Sequence, residues 1–73
     1  MRKNYDVYKN ISEKIKEYRK EQGLTQLELA EKVNISISYL SKIEATNCNK
    51  SFSLDILIEI ANVLEKDLKD FFN

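Results

Sequence analysis

A chain of 73 residues is long enough for one small domain. Its apolar content of 42% is too high for an intrinsically disordered protein. The formal net charge of zero weighs mildly against a nucleic-acid binder, because such domains are often clearly basic. The lack of histidine and the single cysteine, Cys48, exclude an intramolecular disulfide and the usual zinc sites.

The charge is unevenly distributed along the chain. Residues 1–20 carry seven Lys or Arg against three Asp or Glu, whereas residues 54–73 carry two against five. The chain therefore begins basic and ends acidic. No apolar run approaches the roughly 20 residues that cross a bilayer, and the first residues lack the apolar stretch of a signal peptide. We therefore expect a cytoplasmic protein without a membrane partner.

The sequence predicts an all-helical protein. It contains no proline and a single glycine, Gly23, and it shows no sustained alternation of apolar and polar residues. The first helix is predicted over about 8–22, with Gly23 as its left-handed stop. One apolar stripe runs along this helix, and it consists of Tyr8, Ile11, Ile15 and Tyr18.

Two short helices joined by a tight turn follow. Thr25 and the glutamate three residues later have the pattern of a capping box, which predicts a second helix over 25–33. Asn34 tolerates the left-handed backbone conformation and therefore marks the turn. Ser36 caps a third helix predicted over 36–44. The outer face of this helix carries small or polar groups, which is typical of a surface on which something docks.

A polar loop separates the third helix from a fourth, predicted over 53–64, and a fifth short helix is predicted over 67–72. The apolar arc of the fourth helix is about 220° wide, more than one core face needs. We therefore predict an interface between two copies of the chain. Its residues are Ile56, Ile60 and Val63, with Phe71 or Phe72. The alternative, left open here, is that the fifth helix folds back and covers this surface.

The segment from Gly23 to Glu44 carries a family pattern. It contains a Thr-Gln pair at 25–26, a Leu-Ala pair at 29–30 and the run Ser-Tyr-Leu-Ser-Lys-Ile-Glu at 38–44. At this spacing the pattern resembles phage repressor and Cro-type domains, also called the xenobiotic-response-element family, and the likeness covers nearly the whole chain. The resemblance implies a compact, all-α, five-helix fold like that of lambda repressor. Its second and third helices would form a helix-turn-helix.

The resemblance also implies a role for individual residues in binding double-stranded DNA. The third helix would lie in the major groove. The implied base contacts are Ile37, Ser38, Ser41 and Lys42. The implied phosphate contacts are Gln26, Tyr39, Asn47, Asn49 and Lys50. Arg19 and Glu44 are implied to form a partly buried, structural ion pair.

The chemistry of the implied base contacts predicts moderate specificity. Lys42 can donate to guanine N7 and O6, Ser38 can bond to any base, and Ile37 can pack on a thymine methyl group. The sequence departs from the family pattern at Leu27, which replaces a usually polar residue, and at Asn34 and Glu65, which stand where glycine is common. The loop after the third helix is also about two residues longer than usual in this family.

The sequence predicts a small transcriptional regulator that binds a two-fold operator as a homodimer. We expect no cofactor, no metal, no small-molecule ligand and no enzymatic activity, because histidine and a Gly-rich phosphate loop are absent. Cys48 is interpreted as an inert loop or half-buried residue, since no second cysteine could pair with it. An alternative is a protein-interaction module, such as an antitoxin or partner-binding regulator with the same fold.

Overall fold

The computed structural model describes residues 4–45 and 52–72 as a helical domain. Its elements are α1 (Asn4–Glu21), α2 (Gln26–Val33), α3 (Ile37–Glu44), α4 (Leu54–Leu64) and a 3₁₀ helix at Leu68–Phe71. No strand occurs in these two ranges, and the predicted all-α class is confirmed. The predicted count of five α-helices is wrong. The last element is a single 3₁₀ turn, in which the N–H of Asp70 donates to the carbonyl of Asp67, three residues back.

Three connections between helices share one backbone design. Each begins with a left-handed residue, continues with one further residue and ends at the N-cap of the next helix. The left-handed residues are Gly23, Asn34 and Glu65, with φ of 72°, 66° and 59°. The N–H after each one donates to a carbonyl five residues back, at 3.0–3.1 Å. This is the Schellman motif, which satisfies the last carbonyls of a helix and turns the chain sharply.

The predicted N-caps are formed at the starts of α2, α3 and α4. The hydroxyls of Thr25, Ser36 and Ser53 each accept a hydrogen bond from the N–H three residues on. Around Thr25 the full capping box is present, since the Glu28 carboxylate also accepts from the Thr25 N–H at 2.8 Å. The short α2 and α3 therefore have well-defined starts. α1 begins at Asn4, four residues before the predicted start. The prediction placed the start too late because the apolar stripe of this helix begins only at Tyr8.

The core lies between α1, α2, α4 and the buried side of α3. Among its fully buried side chains are Ile15, Leu29, Leu40, Ile60, Leu64 and Phe71. The 3₁₀ helix packs back on the domain, and the Phe71 ring meets the Tyr18 ring edge to face at a centroid distance of 5.2 Å. The prediction that Ile60 and Phe71 form an interface between copies is therefore wrong, because both side chains are already covered within one chain.

The other residues of the predicted interface keep part of their surface accessible. Ile56 and Val63 are half-buried and pack against the edge of the core, whereas Phe72 is 50% exposed. Tyr8, predicted as part of the α1 stripe, lies at the core edge, where its ring meets the Phe52 ring at a centroid distance of 5.5 Å. In the two described ranges no helix has the length and apolar character needed to cross a membrane.

Candidate nucleic-acid interface

α3 has one buried side and one exposed side. Leu40, Ile43 and Glu44 point into the domain and hold the helix in place. The four predicted base-contacting residues all lie on the exposed side, and these are Ile37, Ser38, Ser41 and Lys42. At 100° per residue they cover less than half of the helix circumference, so they form a single face. Ile37 is 44% exposed, so this face also offers an accessible apolar group.

A buried ion pair ties the end of α1 to the end of α3. The Arg19 guanidinium donates from Nε to Glu44 Oε2 at 2.8 Å and from Nη2 to Oε1 at 3.1 Å. The two side chains are only 10% and 1% exposed. Arg19 also donates from Nη1 to the carbonyl of Leu24 at 2.7 Å. The resemblance implies this pair, and its two hydrogen bonds join the end of α1 to the end of α3 in a defined, bidentate geometry.

The amide of Gln26 extends this polar network to the start of α2. Its Nε2 donates to Glu44 Oε1 at 3.1 Å, and its Oε1 accepts from the Ser41 hydroxyl at 3.0 Å. Every buried side-chain nitrogen and oxygen in the described residues has a hydrogen-bond partner. The network therefore joins α1, α2 and α3, and each of its buried nitrogen and oxygen atoms makes at least one hydrogen bond.

The bond between Ser41 and Gln26 is absent from the sequence-based predictions, which group Ser41 with the base contacts. A signal for it exists in the spacing. Ser41 precedes Glu44 by three residues, so their side chains are neighbours at the border between the exposed and the buried side of α3, and both can reach the start of α2. What the sequence does not contain is the distance between α2 and α3, which the turn at Asn34 determines.

The remaining predicted contacts divide into two groups. Tyr39 is half-buried and packs partly against the core beside the exposed face of α3. Asn47, Asn49 and Lys50 lie outside the described residues, as does Cys48. Leu27, next to Gln26 on α2, is 51% exposed and lacks a role in the core. The described residues contain no group of three or more acidic or cysteine side chains that could hold a metal ion.

Comparison with known proteins places this arrangement in a family. A sequence model described as "Helix-turn-helix" matches residues 15–71, a range that contains the polar network and the whole of α2, α3 and α4. The chain belongs to the helix-turn-helix family. The match extends over more than three-quarters of the chain, and it confirms the resemblance to phage repressor and Cro-type domains.

Relatives within the family are regulators of bacteria and their phages. The HTH-type transcriptional regulator SinR of Bacillus licheniformis is 40% identical over 63 residues, which are 86% of this chain and 56% of that protein. The immunity repressor protein of Bacillus phage phi105 is 51% identical over 43 residues, which are 59% of this chain and 30% of that protein. The chain thus spans about half, or less, of these curated relatives.

A solved structure shares the fold as well. The crystal structure of SinR in complex with DNA, described as the master regulator for biofilm formation, superposes with a TM-score of 0.78 at 38% sequence identity. The similarity covers 86% of this chain and 98% of that chain. The helix-turn-helix arrangement of the present protein therefore matches that of a chain whose structure contains DNA.

Proposed function

We propose that this protein is a sequence-specific DNA-binding transcriptional regulator that places α3 in the major groove. The observation that carries the proposal is the exposed face of α3, which is held rigidly from behind by Leu40, Ile43 and the ion pair of Glu44. A reading helix must present base-contacting groups in a fixed orientation. The similarity to SinR, whose structure contains DNA, supports the same assignment.

The residues on this face have distinct proposed roles. Lys42 donates to guanine N7 and O6, Ser38 bonds to a base edge, and Ile37 packs on a thymine methyl group. These contacts specify a short site only moderately, because serine and isoleucine discriminate weakly between bases. Gln26, at the first position of α2, contacts a phosphate, together with Tyr39 and the residues of the loop after α3.

We also propose that two copies bind a two-fold operator, with their α3 helices about 34 Å apart. Ile60 and Phe71 are excluded from the proposed contact between copies, because both side chains are fully buried within one chain. Phe72 and Leu54 are both exposed, and both line a cavity of about 350 Å³ at the start of α4. Ile56 and Val63 are half-buried against the edge of the core. A second copy that covers Phe72 and Leu54 would remove apolar surface from water.

A binding titration tests the proposal. The affinity for random-sequence duplex DNA is expected to fall steeply as salt rises, because phosphate contacts release counterions. Selection of bound sequences from a random pool is expected to return a palindrome with half-sites about one helical turn apart. Binding that does not change with salt, or no binding to any duplex, would contradict DNA recognition and favour the protein-interaction module.

Lys42→Ala sharpens the assignment of the reading face. We expect preference to be lost at one base pair of each half-site, with affinity for the selected sequence reduced about tenfold. Lys69→Ala is the matched control, since it removes the same charge from an exposed lysine of the 3₁₀ helix. If the two variants lose affinity equally and without a change in base preference, Lys42 acts only through its charge.

A further inference from the structure

The Gln26 amide is held in one orientation by two side chains. The Glu44 carboxylate can only accept hydrogen bonds, so it must face the Nε2 group of Gln26, which lies 3.1 Å from Glu44 Oε1. The amide oxygen consequently faces Ser41, whose hydroxyl donates to it at 3.0 Å. The reversed orientation would place two oxygens together at Glu44, and it would be strongly unfavourable beside a buried carboxylate.

This orientation leaves one donor free. An amide nitrogen carries two hydrogens, and one of them is used in the bond to Glu44. The second has no acceptor among the described residues, and Gln26 is the first residue of α2, where the backbone N–H groups also favour an anion. An amide that is already oriented loses less side-chain entropy on contact with a phosphate than a freely rotating one.

We propose that Ser41 is a positioning residue, which orients the Gln26 amide for a DNA phosphate, and not a reader of bases. This inference rests on the proposed function. The hydroxyl of Ser41 points from α3 to α2 and already has its partner there, whereas Ser38 makes no side-chain hydrogen bond to any described residue. The two serines of the reading face therefore have different tasks. Ser38 remains available to the bases, and Ser41 links the reading helix to the phosphate contact.

A double-mutant cycle tests this assignment, with duplexes that carry either the selected operator or its scrambled sequence. Ser41→Ala is expected to weaken binding to both duplexes by the same factor, about two- to tenfold. The ratio of the two affinities stays unchanged, because a phosphate contact is independent of base sequence. Gln26→Ala causes at least the same loss. Adding Ser41→Ala to Gln26→Ala is then expected to cause no further loss.

Two further variants separate positioning from other effects. Ser41→Thr keeps the hydroxyl and is expected to retain wild-type affinity. Ser38→Ala is the matched control on the same face, and its loss is expected to appear at one base pair and to add to that of Gln26→Ala. In the free protein, Ser41→Ala is expected to shift the side-chain amide resonances of Gln26 in an NMR spectrum. The thermal melting curve verifies that each variant remains folded.

Three results would overturn the inference. One is a loss in Ser41→Ala that is confined to a single base pair, which is the signature of base reading. Another is a loss that adds fully to that of Gln26→Ala. The third is an unchanged amide resonance of Gln26. Failure of the unmodified chain to bind any duplex contradicts the proposed function itself and is thus distinguishable from these results.

Discussion

The connection between α2 and α3 and the connection between α4 and the 3₁₀ helix have nearly the same backbone. Asn34 and Glu65 are both left-handed, with φ, ψ of 66°, 44° and 59°, 42°. The N-caps that follow, Ser36 and Asp67, are extended, with ψ of 153° and 150°. In each connection an N–H donates to the carbonyl of an alanine at 3.0 Å. The elements that these two turns introduce nevertheless differ completely.

The difference lies in the side chains that follow each turn. After Ser36, apolar residues recur at Leu40 and Ile43, so α3 continues for two turns with one side buried and the other exposed. After Asp67 the chain makes one 3₁₀ turn, which ends with Phe71 buried against Tyr18. The same type of turn is thus followed by a helix with an exposed face in the first connection and by a short element that covers the core in the second. The backbone geometry of such a turn therefore does not show whether the element after it has an exposed face, as α3 does, or closes the core, as the 3₁₀ helix does.

Phe71→Ala tests whether the second connection closes the core. Removal of this fully buried ring is expected to lower the free energy of unfolding by about 4 kcal/mol, since aromatic-to-alanine changes in cores cost 3–5 kcal/mol. Phe72→Ala is the matched control. Because Phe72 is half-exposed, its replacement is expected to lower the free energy of unfolding of the monomer by less than about 1 kcal/mol. Urea unfolding followed by circular dichroism measures both, and equal losses would contradict the burial of Phe71.

Glu44→Ala tests how the element after the first connection is held. The variant leaves the Arg19 guanidinium buried without its carboxylate and removes an acceptor from Gln26. We expect the free energy of unfolding to fall by about 3 kcal/mol, at the lower end of the range for a broken buried pair. Glu31→Ala, on the exposed side of α2, removes the same charge and is expected to change stability by less than about 0.5 kcal/mol. An unchanged melting temperature in Glu44→Ala would exclude a stabilising role for the pair.

Local chemistry made the first connection predictable from the sequence. The capping box at Thr25, the tolerance of Asn34 for a left-handed backbone and the cap at Ser36 each depend on residues within one helical turn. Such short-range patterns are visible without any knowledge of tertiary structure. The face of α3 follows from them, because the helix start fixes which residues point outward.

Contacts between distant parts of the chain could not be predicted in the same way. The wide apolar arc of α4 shows that two surfaces must be covered, but it does not identify what covers the second one. The structure covers Ile60 within the same chain. The hydrogen bond between Ser41 and Gln26 spans 15 residues and depends on the packing of α2 against α3. Residue pattern and spacing therefore predict where the helices lie, whereas the contacts between side chains of different helices depend on how the helices pack.

The two left-handed residues provide the subtlest test of the comparison. A non-glycine residue in this conformation costs roughly 1–2 kcal/mol, and asparagine is among the few residues that adopt it readily. Glycine removes that cost but increases the entropy of the unfolded chain, which offsets part of the gain. We therefore expect Glu65→Gly to raise the free energy of unfolding by about 0.5–1 kcal/mol and Asn34→Gly to raise it by less. Urea unfolding under identical conditions compares them. Equal gains would mean that Asn34 is as strained as Glu65, and the sequence difference between the two turns would then have no consequence for stability.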